Sequence, residues 1–181
     1  MPRLFTAVDL ADSVRTRALE LIEQLRPDAP GVKWVGKPQL HITLKFLGDV
    51  AEDRVSEICD VITAAARSIE PFEIAVAGAG AFPSLKRPSI LWLGVHEGAD
   101  SLDKLFRAIQ RPLVKLRFPR EERRFTPHLT LGRLRHGQRA PAGLADALHG
   151  FSDYSAGTSL ISEVVLHESQ LLPTGPLYRP H

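Results

Sequence analysis

Two histidines, each two residues ahead of a threonine, carry the chemistry open to this chain: His41-Ile42-Thr43-Leu44 and His128-Leu129-Thr130-Leu131. An imidazole near its ordinary pKa of about 6.5 gives or takes a proton at neutral pH. A pair of them can divide the work. The neutral ring takes a proton from an attacking water, and the protonated ring delivers one to a leaving oxygen. Two threonine hydroxyls can hold the non-bridging oxygens of a phosphate between them. That set suits hydrolysis of a phosphodiester, above all a strained cyclic one, without a metal.

Other chemistries lack their residues. Neither motif brings a second metal ligand, and there is no HExxH and no acidic cluster beside either histidine, so no metal and no cofactor are expected. No G-x-S-x-G occurs to present a serine nucleophile. Gly78 and Gly80 begin a dinucleotide-type glycine pattern, but Pro83 stands where its third glycine is needed and no helix pattern follows. The remaining histidines (His96, His136, His149, His167 and His181) lack the motif and read as loop, surface or internally satisfied residues.

Both tetrapeptides read polar, apolar, polar, apolar, the period of a half-buried strand. Ile42 and Leu44 then face the core, as do Leu129 and Leu131, while His41 and Thr43, and His128 and Thr130, share the opposite faces. Neighbours on one strand face lie roughly 6.5–7 Å apart, so one small anion can touch both side chains. Strict alternation puts Lys45 in phase with His41 and Thr43, which makes it a possible substrate contact. Phe46, Phe125 and Trp34 are candidates to stack on a base.

The flanking elements follow from periodicity. Residues 3–9 read as a strand with Leu4, Thr6 and Val8 on one face. Val14, Ala18, Leu21, Ile22 and Leu25 mark the inner stripe of a first helix, and Val32 to Val35 a short strand. A second helix covers about 52–69, with Cys59 a small hydrophobe on its apolar face. Residues 72–81 form a strand. Ser89–Val95, apolar nearly throughout, reads as a strand buried on both faces. A third helix starts near Asp100 with Leu102, Leu105, Phe106 and Ile109 inward, and Pro112 ends or kinks it. A basic loop over 117–125 leads to the second motif strand. A short helix over 140–149, a strand over 159–168 and a turn-rich tail through Pro173, Gly175, Pro176 and Tyr178 complete the chain, the tail able to add an edge strand.

This order repeats: helix, His-x-Thr strand, helix, two strands, then the same again, with the histidines 87 residues apart in a chain of 181. It predicts an α+β fold, one bilobal domain over residues 1–181. Two pseudo-symmetric lobes, each an antiparallel sheet with helices on its outer face, would flank a central cleft. No run approaches the ~18 apolar residues of a membrane helix, and the amino terminus lacks a signal-peptide apolar region. With one cysteine there is no internal disulfide, so a cytoplasmic protein is expected. Between Lys115 and Arg139 eight basic residues face only Glu121 and Glu122, a balance of +6 in a chain of net +2, so the remainder carries −4. The excess surrounds the second motif and reads as a phosphate-attracting rim.

The stretches RLFTAVDL, VKWV ahead of HITLKFLGDV, RPSILWLGV and FTPHLTLGRL, in order from residue 3 to about 135, resemble the RNA 2',3'-cyclic phosphodiesterases once called bacterial 2'-5' RNA ligases. These belong to the two-histidine phosphoesterase superfamily. The resemblance implies opening of a 2',3'-cyclic phosphate to a 2'-phosphate. It implies His41 as proton donor to the leaving 3' oxygen and His128 as proton acceptor from water. Thr43, Thr130 and Arg133 would bind phosphate. Alternation from His128 turns Arg133 to the wrong face, and Gly132 before it can supply the bulge that re-aims it. The expected partners are RNA ends or nucleotides bearing a cyclic phosphate, bound by a monomer with no membrane. Three alternatives stand beside this: a ligase joining RNA ends such as tRNA halves, a diesterase acting on ADP-ribose cyclic phosphate, and a non-catalytic RNA-binding module.

Overall fold

In the computed structural model, which describes residues 1–172 and 175–181, apolar alternation sorts the strands into two antiparallel sheets. Pro173, part of the expected tail, lies outside the described residues. The first sheet joins β1 (Arg3–Asp9) with β3 (His41–Asp49), β8 (Val165–Leu172) and β9 (Gly175–Pro180), in the order β3-β1-β8-β9. The second joins β2 (Lys33–Trp34), β4 (Phe72–Pro83), β5 (Pro88–Val95), β6 (His128–Arg133) and β7 (Ser155–Ile161), in the order β2-β6-β5-β4-β7. The motif strands are β3 and β6. Each belongs to a different sheet, and the two touch.

Four helices complete the α+β fold: α1 (Asp12–Leu25), α2 (Val55–Ala66), α3 (Ala99–Lys115) and α4 (Leu144–Gly150). The α1 stripe of Val14, Ala18, Leu21, Ile22 and Leu25 is fully buried. Leu102, Leu105, Phe106 and Ile109 of α3 are buried as well. Burial at this spacing is what holds such helices, since each large apolar side chain contributes about 1.5–3 kcal/mol. The lobes are not consecutive halves of the chain. The first sheet takes β8 and β9 from the far end, and the second takes β2 and β4 from the first half.

Three expectations change. The strand expected over 159–168 is two strands, because β7 pairs with β4 in one sheet and β8 with β1 in the other, so the chain must cross between lobes at residues 162–164. Strand β5 is not buried on both faces: Leu91 and Leu93 are enclosed, but Trp92 on the opposite face is only half-buried, towards the cleft. Of the two outcomes expected at Pro112, an end or a kink, the end does not occur, since α3 runs on to Lys115. Leu113, fully buried, holds the last turn against the core, and the Leu116 N–H donates to the Pro112 carbonyl at 3.1 Å. The edge strand allowed for the tail is β9. No described helix is long and apolar enough to cross a membrane.

Candidate active site

The six residues from His41 and the six from His128 have one burial pattern: half-buried, buried, half-buried, buried, buried, exposed. Period two therefore fails at the same place in both. On β3, Thr43 pairs with Ala7 and Lys45 with Thr6, which leaves Leu44 unpaired. On β6, Thr130 pairs with Trp92 and Gly132 with Leu91, which leaves Leu131 unpaired. Each is a one-residue bulge, and past a bulge the faces exchange. The fifth residue after each histidine thus returns to the cleft: Phe46 on one strand, Arg133 on the other.

One cleft is lined by His41, Thr43, His128, Thr130 and Arg133, with Phe5, Trp34, Phe46 and Tyr178 on its walls. The bulge anticipated at Gly132 is present, and Arg133 does face the cleft. An added Cβ on Gly132 would lie 2.8 Å from Val32 and 2.9 Å from Trp34, so the glycine lets β2 lie against β6 and brings Trp34 to the rim.

Lys45 is not where alternation put it. The β3 bulge turns it inward, where its Nζ donates to the Pro119 carbonyl at 2.7 Å and lies 3.5 Å from Gln110 Oε1. It ties the strand to the basic loop and lines the cleft beneath that loop beside His128, not the part that holds both histidines. Phe125 stacks on Phe106, with centroids 4.6 Å apart and planes 11° apart, so one of its faces is already occupied. Phe46 is 70% exposed and available to a ligand.

The two histidines sit in unlike surroundings. His128 Nδ1 lies 2.8 Å from the Thr126 carbonyl. A carbonyl only accepts, so Nδ1 carries the hydrogen and Nε2 is left with its lone pair. Burial lowers its pKa, the Thr126 bond opposes that, and the Arg133 charge adds to it. Phe82 packs its edge against the ring at 4.9 Å. His41 lies among Phe5, Tyr178 and His167, with centroids at 5.1, 5.2 and 5.5 Å. Burial first, then the neighbouring His167, brings its pKa down to about 4, against a pull upward from Asp9. The expectation of two near-neutral histidines is corrected: desolvation favours the uncharged form of both.

His167 is also corrected, since it stands behind His41 rather than in a loop or at the surface. It is 8% exposed, its Nδ1 has no partner among the described residues, and its Nε2 lies 3.5 Å from Asp9 Oδ1, an ion-pair distance more than a hydrogen bond. Proximity of His167 holds the Asp9 carboxyl below its ordinary range. No local pattern marks either residue. Only the pairing of β8 with β1, which sets His167 opposite Phe5, brings them to the site. Among the described residues no three His, Cys, Asp or Glu side chains cluster as a metal site would require.

These surroundings make stability depend on pH. The unfolded chain binds a proton at His41 below about 6.5, whereas the folded one does so only near pH 4. The unfolded state therefore gains protons first as pH falls, and stability declines across that window by up to about 3 kcal/mol. His128, lowered for the same reason, acts in the same direction. Asp9 loses its contribution only below its ordinary 3.8 and does not mask the trend. Urea unfolding at pH 7 and pH 4.5 should show a smaller difference for His41→Gln than for the unchanged protein, and equal differences would refute this account.

Two sheets that each offer a bulged His-x-Thr strand to a common cleft define the two-histidine phosphoesterase class. The chain belongs to the 2'-5' RNA ligase superfamily, whose family model matches residues 12–170. It is 39% identical over 176 residues to the RNA 2',3'-cyclic phosphodiesterase of Methanothermobacter thermautotrophicus, covering 97% of this chain and 94% of that one. It is 36% identical over 177 residues to the protein of the same name from Archaeoglobus fulgidus, covering 98% and 96%. The crystal structure of TT0787 of Thermus thermophilus superposes with a TM-score of 0.81 at 28% identity, covering 98% of this chain and 94% of that one.

Proposed function

We propose that this chain hydrolyses RNA or nucleoside 2',3'-cyclic phosphates to 2'-phosphates by acid–base catalysis between His41 and His128. The observation that carries the reading is the asymmetry of the pair within mirrored strands. The Thr126 carbonyl fixes the His128 tautomer that accepts a proton at Nε2. Among the described residues His41 has no such tie, and it can arrive as the donor. Both come from one chain, so a monomer suffices, and the lone Cys59 is compatible with a reducing cytoplasm.

In this mechanism the Thr43 and Thr130 hydroxyls and the Arg133 guanidinium hold the non-bridging phosphate oxygens. His128 Nε2 takes a proton from a water that attacks phosphorus in line with the 3' oxygen. The P–O3' bond breaks, and His41 delivers its proton to that oxygen, leaving a free 3' hydroxyl and a 2'-phosphate. Each histidine exchanges one proton, and solvent resets both. His41 is neutral in the free protein at pH 7. The anionic phosphate beside it favours the charged form and raises its proton affinity when the substrate binds.

Purified protein should turn over cytidine 2',3'-cyclic phosphate to cytidine 2'-phosphate in excess EDTA at an undiminished rate. Loss of turnover that Zn²⁺ or Mn²⁺ restores would overturn the metal-free mechanism. Formation of the 3'-phosphate would overturn the assignment of the leaving oxygen.

A further inference from the structure

The cleft has two mouths. Both share Thr43, Phe46, His128, Thr130 and Arg133. The first opens past Trp34 and Tyr178 at the β2 and β9 edges. The second opens under the loop between α3 and β6, past Arg123, Arg124 and Phe125. A nucleotide that ends an RNA chain in a cyclic phosphate has two groups to place besides that phosphate: its base, and the 5'-phosphate that continues the strand.

The linings differ in chemistry. Both mouths carry aromatic side chains, so the difference is charge: besides the shared Arg133, the first has Lys33 at its rim. The second carries Lys45, Arg123, Arg124 and Arg133 against Glu121. Lys45 is committed to the Pro119 carbonyl, and Arg133 faces the centre of the cleft. Glu121 turns back on its own loop, where its carboxylate accepts the Arg123 N–H at 3.2 Å. Arg123 and Arg124 are exposed, and among the described residues neither guanidinium forms an ion pair with a carboxylate. Two unpaired guanidiniums at the exit of a phosphate site match the phosphates of a continuing strand. Farther along the same groove Asp100, Asp103 and Glu122 outweigh Arg107 and Arg120, so the attraction ends after a short distance.

We infer that this site takes RNA in one direction. The terminal base enters the Trp34 and Tyr178 mouth, and the strand leaves 5'-ward through the other, with its first two phosphates on Arg123 and Arg124. The inference rests on the proposed cyclic phosphodiesterase reading and adds to it the orientation and length of the bound strand.

The test compares cytidine 2',3'-cyclic phosphate with di-, tri- and hexanucleotides that end in it, using the unchanged protein and Arg123→Ala/Arg124→Ala. The unchanged protein should show a KM about tenfold lower for the trinucleotide than for the mononucleotide at low salt, and no further gain for the hexanucleotide. The double variant should raise the trinucleotide KM about tenfold and leave both mononucleotide constants within twofold. Its log KM against log salt slope for the trinucleotide should fall by about 1.4, from about 0.7 for each single-strand phosphate released. Intact mononucleotide turnover also reports that the variant is folded. Equal effects on both substrates, no effect on either, or a KM that keeps falling to the hexanucleotide would overturn the inference. If the unchanged protein fails to hydrolyse the mononucleotide, the phosphodiesterase reading itself fails.

Discussion

Alanine at His41 or at His128 is expected to lower kcat on cytidine 2',3'-cyclic phosphate about 10²- to 10⁴-fold, the usual worth of a positioned proton-transfer group. The double variant should be far less impaired than the product of the two losses, because one proton transfer is of little use without the other. Neither side chain is part of the apolar core, and both face the cleft, so both variants should remain folded. The roles separate on a substrate whose leaving oxygen departs readily without a proton. Loss of the donor His41 should then cost little, while loss of the acceptor His128 should cost as much as before. Equal impairment on that substrate would reverse or erase the assignment. A single alanine variant with near-unchanged kcat would refute the pair altogether.

The pH profiles carry the same distinction. The free protein sets kcat/KM, and burial lowers the pKa of both histidines there. Its optimum should therefore lie on the acid side of about 6.5. The bound complex sets kcat, and phosphate raises the proton affinity of His41 in that complex. The kcat optimum should lie at higher pH than the kcat/KM optimum, and coincident optima would count against a donor charged by its own substrate. The limbs belong to the coupled pair, so assignment comes from the leaving-group comparison. His167 enters here as well. Its ring packs on His41 with centroids 5.5 Å apart, and after burial it is the second cause that lowers the His41 pKa.

The histidines and threonines were legible because a half-buried strand has a period a sequence displays, and because the motif occurs twice. The α1 stripe was legible for the same reason, at period 3.6. A bulge has no period. Gly132 hints at one on β6, and that hint is what turns Arg133 toward the cleft in the sequence. Lys45 occupies the corresponding place on β3 and gives no such hint, so alternation sent it to the cleft that its neighbour Phe46 occupies instead. Between Ile161 and the Val164-Val165 pair stand only Ser162 and Glu163, with no glycine or proline to mark a turn, so the crossing between sheets is hidden in what reads as one strand. Asp9 and His167 lie at opposite ends of the chain and meet only because β1 and β8 are paired. Long-range pairing is where local pattern stops informing.

Arg133→Ala is expected to lower kcat about 10²- to 10³-fold, the cost of removing one preorganised group from developing negative charge. Attack on a cyclic phosphate by a water that is giving up its proton increases the charge on the non-bridging oxygens, so a guanidinium holding them contributes more in the transition state than in the bound ground state. The loss should therefore appear mainly in kcat. Arg133 is exposed, and its removal should leave the thermal midpoint unchanged. Arg133→Lys keeps the charge but not the two-pronged geometry and should fall between alanine and the unchanged protein. Phe46, its counterpart past the β3 bulge, is 70% exposed and carries no charge. Phe46→Ala should raise KM and spare kcat, because stacking holds substrate and transition state alike. The contrast tests the mirrored bulges directly, since equivalent positions on two equivalent strands would serve different terms of the rate. If Arg133→Ala stays within threefold of the unchanged protein, the β6 bulge does not deliver a phosphate ligand. If Phe46→Ala lowers kcat as far as Arg133→Ala does, the division between the two strands is wrong.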